Sequence, residues 1–400
     1  MSKSQLALFL TVLMVFFGVA PVVGQDLTDQ EQLGKLIFFD QKLSVRNNQS
    51  CAACHGPEVG WTGPVAGINK TGGVYFGSIR TRFGNRKPPT VAYAGDSPPL
   101  YYDEDEEAWV GGMFYDGRAT GWTLGDPLAE QAQGPFLNPV EQALPGASDV
   151  VAGVCGSKYA PLFKSVWGDD VCSDVAAAYD AIAFSVAAYE RSPEVSPFSA
   201  KYDAYVSGQA KLTEQEALGE ELFHGKAKCA NCHMPPLFTD YTYDNLGLPR
   251  NPVNPFYTQE EFNPDGWDWV DSGLGDFLKS AGYAEEVYAA EWGKQKVPTM
   301  RNVDKRPGRG FPKAFGHNAY FKSLEGIVHF YNTRDEKPEC EDPFTSEKEA
   351  LAQGCWPVAE VSKTVNKDEL GSLGLSAEEE GALVAFLKTL SDGYRVKPKK

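Results

Sequence analysis

Histidine and methionine are scarce in this chain: each occurs five times in 400 residues. Two methionines lie within the first 25 residues, which leaves Met113, Met234 and Met300 further along. Metal-binding nitrogen and thioether ligands are therefore few enough to be considered one by one. Basic residues are also in deficit, because 37 Lys and Arg stand against 54 Asp and Glu, for a formal net charge of −17. This balance argues against nucleic acid as a partner.

Long apolar runs are missing everywhere except at the start of the chain, so no later segment predicts a membrane span. The first residues combine Lys3 with an apolar run and a small-residue step that ends at Gly24, which is typical of a secretory signal peptide. A membrane anchor is the alternative, and it is disfavoured by Pro21 and by the acidic Asp26. We expect a signal peptide over 1–24, a periplasmic or secreted protein, and no stable membrane insertion after cleavage.

One short module occurs twice, as LTDQEQLGKLIF at 27–38 and as LTEQEALGEELF at 212–223. Each copy has a Thr followed three residues later by a Glu, which is the pattern of a helix capping box. An alanine-rich periodic segment at 174–192 and a capped segment at 381–390 each predict a helix that closes one half. The repeat predicts two halves that begin and end alike.

Strand signals are few and short, so we expect a mostly α fold in two domains, 25–200 and 201–400, joined by a linker over 192–208. The middle segments of both halves are polar and rich in Gly and Pro, and we expect them to be long irregular loops. Loops of that length tend to carry functional sites.

A cysteine pair followed by histidine comes after the opening helix of each half. The two motifs are Cys51-Ala-Ala-Cys54-His55 and Cys229-Ala-Asn-Cys232-His233. In this C-x-x-C-H pattern two thiols bond to one porphyrin and the histidine presents its imidazole to the iron. A zinc ribbon is the alternative, but it needs its cysteine pairs about 15–20 residues apart, and these lie 178 apart. A redox dithiol would not require the following His in both motifs. The sequence predicts two covalently attached c-type haems in tandem cytochrome c-like domains.

Four further cysteines lie outside the motifs. In an oxidising compartment we expect them to pair, and short loops favour Cys155 with Cys172 and Cys340 with Cys355. Four free thiols are the alternative.

An iron with a protein ligand on both sides transfers electrons, whereas an iron with an open position can bind a small molecule. Between His55 and His224 the chain contains no histidine and only one methionine, Met113. The first iron is therefore predicted to be open, with Met113 as the alternative ligand.

Several motifs around the two haem sites resemble the bacterial dihaem cytochrome c peroxidase family and its relative MauG. They are FYDGRA at 114–119, EQAQGPFLNPVEQ at 130–142, VPTMRNV at 297–303 and GHNAYFKSLEGIVHFYN at 316–332. The resemblance runs over nearly the whole chain after the signal peptide. It implies that the first haem binds peroxide and that Gln131, Pro135 and Glu141 line its pocket, with Glu141 as general acid–base. Ordinary polar loop residues are the alternative for Gln131 and Glu141.

The resemblance also has implications for the sixth ligand of each iron. Peroxidases that need reductive activation carry a loop His after the first motif, and this chain has none there, as in MauG-like members. At the second haem the family has Met or Tyr fourteen residues after a conserved His, and from His317 that position is Tyr331. A helical pattern independently places Tyr331 on the apolar stripe and His329 away from it. His329 and Met300 remain alternative ligands.

Two departures from the family pattern lie between the predicted domains. Tyr115 stands where relatives usually have Trp between the haems, and it could still relay an electron. Where relatives carry the Asn of R-N-x-P-T, which supplies a calcium, this chain reads Arg86-Lys87-Pro88-Pro89-Thr90, so a calcium site is possible but doubtful.

Three functions follow from these features. The first is reduction of hydrogen peroxide at the first haem, with electrons from a small donor protein, a cytochrome or cupredoxin, relayed through the second haem. The second is MauG-like oxidation of aromatic residues in a protein substrate. The third is a non-enzymatic dihaem electron carrier, which requires both irons to be capped.

Overall fold

The computed structural model describes residues 26–396. The predicted signal peptide, 1–24, lies outside the described residues. Within 26–396, none of the helices combines the length and the apolar character needed to cross a bilayer.

Helices dominate the fold, and the strands are short. The helices of the first half are α1 (Asp29–Phe38), α2 (Ala66–Lys70), α3 (Pro127–Leu137), α4 (Ala147–Cys155), α5 (Ala160–Trp167) and α6 (Val175–Arg191). Those of the second half are α7 (Lys201–Val206), α8 (Glu214–His224), α9 (Gly273–Ser280), α10 (Glu285–Ala290), α11 (Leu324–Thr333), α12 (Glu347–Gln353) and α13 (Ala377–Lys388). Two antiparallel ribbons pair β1 (Tyr101–Asp103) with β2 (Ala108–Val110) and β3 (Tyr243–Asp244) with β4 (Gln295–Lys296).

The first and last helices of the two halves are arranged alike, as the repeat predicts. The capping boxes of Thr28 and Thr213 are present, because each hydroxyl accepts from a backbone N–H while the Glu three residues on accepts from the Thr backbone. α1 packs on α6, and α8 packs on α13. A Cβ added at Gly34 would collide with the carbonyl oxygen of Ser185, and one added at Gly219 would collide with that of Ala382. Each crossing therefore brings two backbones so close together that only glycine fits.

One expectation about irregular structure is wrong. The middle segments contain short helices that were not predicted, α3 to α5 in the first half and α9, α10 and α12 in the second, whereas α11 agrees with the helical pattern around Tyr331. Local capping explains why a Gly- and Pro-rich segment is helical: Asp126 accepts from Leu128 N and Ala129 N, and Pro127 occupies the first turn, where its missing N–H costs nothing. Helix α7 lies within the predicted linker, 192–208.

Both favoured disulfides are present, Cys155–Cys172 and Cys340–Cys355, and each closes a short loop beside a helix. Each half has its own apolar core, one around α1 and α6 and the other around α8 and α13.

Buried polar contacts join the halves. The Lys313 ammonium, only 3% exposed, donates to the carbonyl oxygens of Val59, Asn302 and Lys305 at 2.9, 3.1 and 3.1 Å. Val59 belongs to the first half and the other three residues to the second. Backbone carbonyls of both halves thus accept hydrogen bonds from one buried side chain.

Candidate functional site

Each cysteine motif lines one of two cavities. The first cavity, about 40 Å³, is lined by the first motif and by residues of α3 and α6. His55, Gln131, Pro135 and Glu141 all line it. The structure therefore brings together the residues that the resemblance assigns to the peroxide pocket.

The second cavity is larger, about 240 Å³, and reaches from the second half into the first. Its lining includes Cys229, Cys232, His233, Met300, Tyr331 and Tyr115. The predicted relay residue Tyr115 thus lies at the same cavity as the second motif and its candidate axial ligands.

Both motif histidines are oriented for metal binding. His55 Nδ1 lies 3.2 Å from the carbonyl oxygen of Trp61 and 3.0 Å from that of Pro89, and His233 Nδ1 lies 2.9 Å from that of Phe238. Carbonyl oxygens only accept, so Nδ1 carries the proton in each ring and Nε2 keeps its lone pair. Burial lowers the pKa of both histidines, to about 4 for His55, which keeps the rings neutral.

The cysteines complete a haem-binding arrangement. All four motif cysteines are unpaired thiols, and each pair is separated by one turn of 3₁₀ helix. Paired thiols, a neutral imidazole with a free Nε2 and a cavity beside them are the groups that a c-type haem needs. The residues at both sites fit this cofactor.

Helix α3 carries two of the predicted peroxide-site residues. Gln131 and Pro135 are four residues apart and so share one side of this helix. The sequence did not predict a helix here, because Pro135 lies inside it. Glu141 follows the helix, and Asn138 Nδ2 donates to its Oε1 at 2.6 Å. One helix and the turn after it therefore present three of the residues that line the first cavity.

The charge state of Glu141 depends on opposing influences. Burial raises its pKa, while the positive charge of Arg118 and the hydrogen bond from Asn138 lower it. The Arg118 guanidinium carbon lies 3.7 Å from the ring centroid of Phe114, and the group pairs with Asp116 at 2.7 Å. A raised pKa makes the Glu141 carboxylate a stronger base than an exposed one, which favours taking a proton and returning it.

Helix α11 distinguishes the candidate ligands of the second iron. Tyr331 lines the second cavity together with Leu324, Ile327 and Val328, the stripe predicted from the sequence. His329 Nδ1 instead lies 2.9 Å from Glu380 Oε1 on α13, and its side chain is not among those lining the cavity. Met300 lines the cavity as well.

Comparison with known proteins agrees with this geometry. The family model for di-haem cytochrome c peroxidase matches residues 28–211. The chain is 35% identical over 373 residues to methylamine utilization protein MauG of Paracoccus denitrificans, covering 90% of this chain and 88% of that protein. The chain belongs to the di-haem cytochrome c peroxidase and MauG family. It is therefore an enzyme of the dihaem peroxidase type, and two c-type haems are its expected cofactors.

Other family members support the assignment over most of the chain. Cytochrome-c peroxidase IdrP1 of Denitromonas iodatirespirans is 26% identical, over 91% of this chain and 81% of that protein. Among solved structures, the diheme peroxidase BthA from Burkholderia thailandensis superposes with a TM-score of 0.70 at 28% identity, over 92% of this chain and 87% of that one.

In this member of the peroxidase and MauG family, Tyr115 lies between the two halves. It is 9% exposed, and its ring centroid is 6.2 Å from that of His317 in an edge-on arrangement. Its carbonyl oxygen accepts from Lys296 N of the second half at 2.8 Å. Arg86 binds Asp271 of the second half through two hydrogen bonds of 2.6 and 2.7 Å. These contacts across the interface hold the tyrosine in place.

The interdomain calcium expected from the family does not fit this chain. Lys87, at the position of the calcium-binding Asn, directs its ammonium to Thr62 Oγ1 at 2.9 Å and to the carbonyl oxygen of Pro88 at 3.0 Å. A cationic side chain that already donates to these oxygens repels a divalent cation at this position. Lys87 and its surroundings therefore do not fit a calcium ion.

Sequence reasoning missed two polar residues of the first cavity. Glu190 on α6 and Gln142 both line it, and they are 3% and 2% exposed. Among the described residues, Glu190 Oε2 and both amide atoms of Gln142 lack a hydrogen-bond partner. No signal in the sequence marks Glu190, because its burial depends on how α6 packs against the rest of the first half.

Proposed function

We propose that this enzyme reduces hydrogen peroxide in the first cavity with electrons that arrive through the second half. One observation supports this proposal: Gln131, Pro135 and Glu141 line the same cavity as His55. We further propose that the halves are cytochrome c-like domains, 25–200 and 201–400, each holding one haem covalently.

Two haems, when attached to the cysteine pairs and bound by Nε2 of His55 and His233, supply the redox-active irons. The protein's own residues transfer the proton and orient the peroxide. Glu141 takes a proton from the near oxygen of peroxide and returns it to the far oxygen, so that the O–O bond breaks and one water leaves. Two electrons from the donor protein and two protons from solvent would convert the remaining oxygen to a second water. Gln131 orients the peroxide by hydrogen bonding, and Pro135 gives the cavity an apolar wall.

Tyr115 connects the two cavities in this proposal. Burial and the negative charge of Asp271 raise the pKa of Tyr115, so the phenol is protonated at neutral pH. Its oxidation would require both an electron and a proton to leave, unlike that of the Trp found in relatives. Tyr115 would therefore relay charge with different energetics.

The proposed proton transfer by Glu141 can be tested by removing its carboxyl group. In Glu141→Gln we expect the rate of peroxide turnover to fall by about 10²–10⁴-fold, because general acid–base catalysis contributes about that much. Steady-state peroxide reduction with a cytochrome c or cupredoxin donor measures this. Glu58→Gln, an exposed change in the same half, is the matched control and should keep the wild-type rate. Equal rates in the two variants would refute the role of Glu141.

A second candidate function is MauG-like oxidation of aromatic residues in a partner protein. The observation that favours it is Tyr331 at the second cavity, with His329 engaged by Glu380. An anionic oxygen ligand stabilises the higher oxidation states of iron, and such a haem suits the storage of oxidising equivalents more than the acceptance of electrons.

Peroxide added to the resting, fully oxidised protein distinguishes the two candidates. A MauG-like enzyme should react at once and give a long-lived change in the haem absorption spectrum. A peroxidase that needs activation should react only after one-electron reduction. We expect an immediate reaction, since the chain has no histidine between His55 and His224 to block the first iron. In Tyr331→Met we expect the long-lived signal to be lost.

We also propose export to the periplasm or secretion, on the basis of residues 1–24. Mass spectrometry of the purified protein should then show a mature chain that begins near Gln25, recovered from the periplasmic or secreted fraction. A protein that retains Lys3 in the cytoplasmic fraction would contradict export.

A further inference from the structure

Glu190 is a buried carboxyl group that the proposed peroxide chemistry does not use. It lies in the last turn of α6, is 3% exposed, and lines the first cavity together with His55 and Glu141. Its Oε2 has no hydrogen-bond partner among residues 26–396. A buried carboxyl oxygen without a partner is costly, which points to a role at this cavity.

The second half shows what the same position holds when no carboxyl is needed. Gly34 contacts Ser185 and Tyr189 on α6, and Gly219 contacts Ala382 and Phe386 on α13. Tyr189 therefore corresponds to Phe386, and the next residue, Glu190, corresponds to Leu387. Leu387 lines the second cavity as Glu190 lines the first. The carboxyl is thus a property of the first site and not of the shared fold.

The surroundings of Glu190 determine its charge. From its own helix Arg191 acts on it, but the Arg191 guanidinium binds Asp126 at 2.7 and 2.8 Å. The other titratable and polar groups that line the same cavity are Cys51, Cys54, His55, Glu141, Gln131 and Gln142. Burial raises the pKa of Glu190 to about 8. In the described part of the chain, neither a hydrogen bond nor an ion pair compensates a negative charge there.

We propose that Glu190 couples electron uptake at the first haem to proton uptake. This inference rests on the proposed function, which puts a redox-active haem in the first cavity. When one electron converts the ferric iron to ferrous iron, the buried site gains one negative charge. Above about pH 8, where the Glu190 carboxyl is ionised while the iron is ferric, one proton from solvent then binds the carboxylate, so that ferric iron, carboxylate, electron and proton become ferrous iron and carboxylic acid. The net charge of the cavity is unchanged, and this lowers the cost of reduction in a medium of low dielectric constant.

Spectroelectrochemical titration of the holoprotein over a range of pH tests this coupling without peroxide. In the wild type we expect the midpoint potential of the first haem to be nearly constant below about pH 8, where Glu190 is already protonated, and to fall above that pH at up to about 59 mV per unit, the one-electron equivalent of a tenfold change. Glu190→Gln should flatten this slope while the slope of the second haem stays as in the wild type. Glu190→Leu introduces the residue found at this position in the second half, and it should also flatten the slope of the first haem. This variant replaces Glu190→Gln in the experiment if the Gln variant does not fold.

Glu141→Gln is the contrast within the same cavity. Infrared difference spectra on reduction, recorded above about pH 8, should show a carboxylic acid C=O band in the wild type and in Glu141→Gln, but not in Glu190→Gln. A first-haem slope that is flat in the wild type above that pH, or that Glu141→Gln flattens and Glu190→Gln does not, would overturn the inference. If the wild type lacks peroxide turnover, the proposed function fails whatever the slope, so the two failures are distinguishable.

Discussion

The two halves share a scaffold and differ in what they direct into their cavities. In both, a capped helix crosses a closing helix at a glycine, and a cysteine pair is followed by a histidine whose Nδ1 donates to a backbone carbonyl. Glu190 lines the first cavity, whereas its counterpart Leu387 lines the second, which also contains Tyr331. The repeated scaffold supplies the cysteine pair and the histidine in both halves, and in the proposed function the side chains that differ determine which site reacts with peroxide.

Among the changes that distinguish the two halves, removal of one cysteine pair at a time should have the largest effect on haem content and turnover. We expect Cys51→Ala with Cys54→Ala, and Cys229→Ala with Cys232→Ala, each to lose one covalent haem, because thioether bonds need both thiols. Intact mass and haem absorbance per protein measure the loss. Only the first double variant should lose the peroxide site itself, while the second should lose electron supply.

The disulfide Cys155–Cys172 provides the control for this experiment. Replacing both of its cysteines by Ala should cost about 3 kcal/mol of stability, as expected for a loop of about this length, and should leave both haems attached. If the Cys229 and Cys232 variant kept the wild-type turnover with a protein donor, the second half would not lie on the electron route.

Substitution of the glycine at each helix crossing should destabilise the two halves equally. Gly34→Ala and Gly219→Ala each place a methyl group against a carbonyl oxygen, so we expect each to lower the free energy of unfolding by about 1–3 kcal/mol or more. Denaturant unfolding measures both. Gly67→Ala in α2 is the control, since no atom lies within 4 Å of its added Cβ, and it should be neutral or slightly stabilising. A tolerated change at only one crossing would show that the halves are not equivalent.

Much of this arrangement was accessible from the sequence because it depends on local patterns. Capping boxes and the spacing of the cysteine motifs are local, and the stripe that contains Tyr331 follows from helical periodicity alone. The helix that carries Gln131 and Pro135 was missed because its internal proline and the surrounding glycines outweighed the capping signal of Asp126. Glu190 was missed for another reason: its burial depends on tertiary packing, and a glutamate near the end of a helix normally points to solvent.

The smallest expected effect concerns the interface between the halves, where this chain departs from its relatives. Burial lowers the pKa of Lys87 to about 8, so the ammonium is still charged at pH 7 and donates to Thr62 and to the carbonyl of Pro88. We therefore expect a calcium chelator at pH 7 to leave both the unfolding midpoint and the peroxide turnover of the wild type unchanged. Lys87→Asn, which removes the charge and restores an oxygen ligand, is the matched variant, and its unfolding midpoint should rise on addition of calcium. A wild-type protein that loses stability or turnover with chelator would show that a divalent cation binds despite the ammonium.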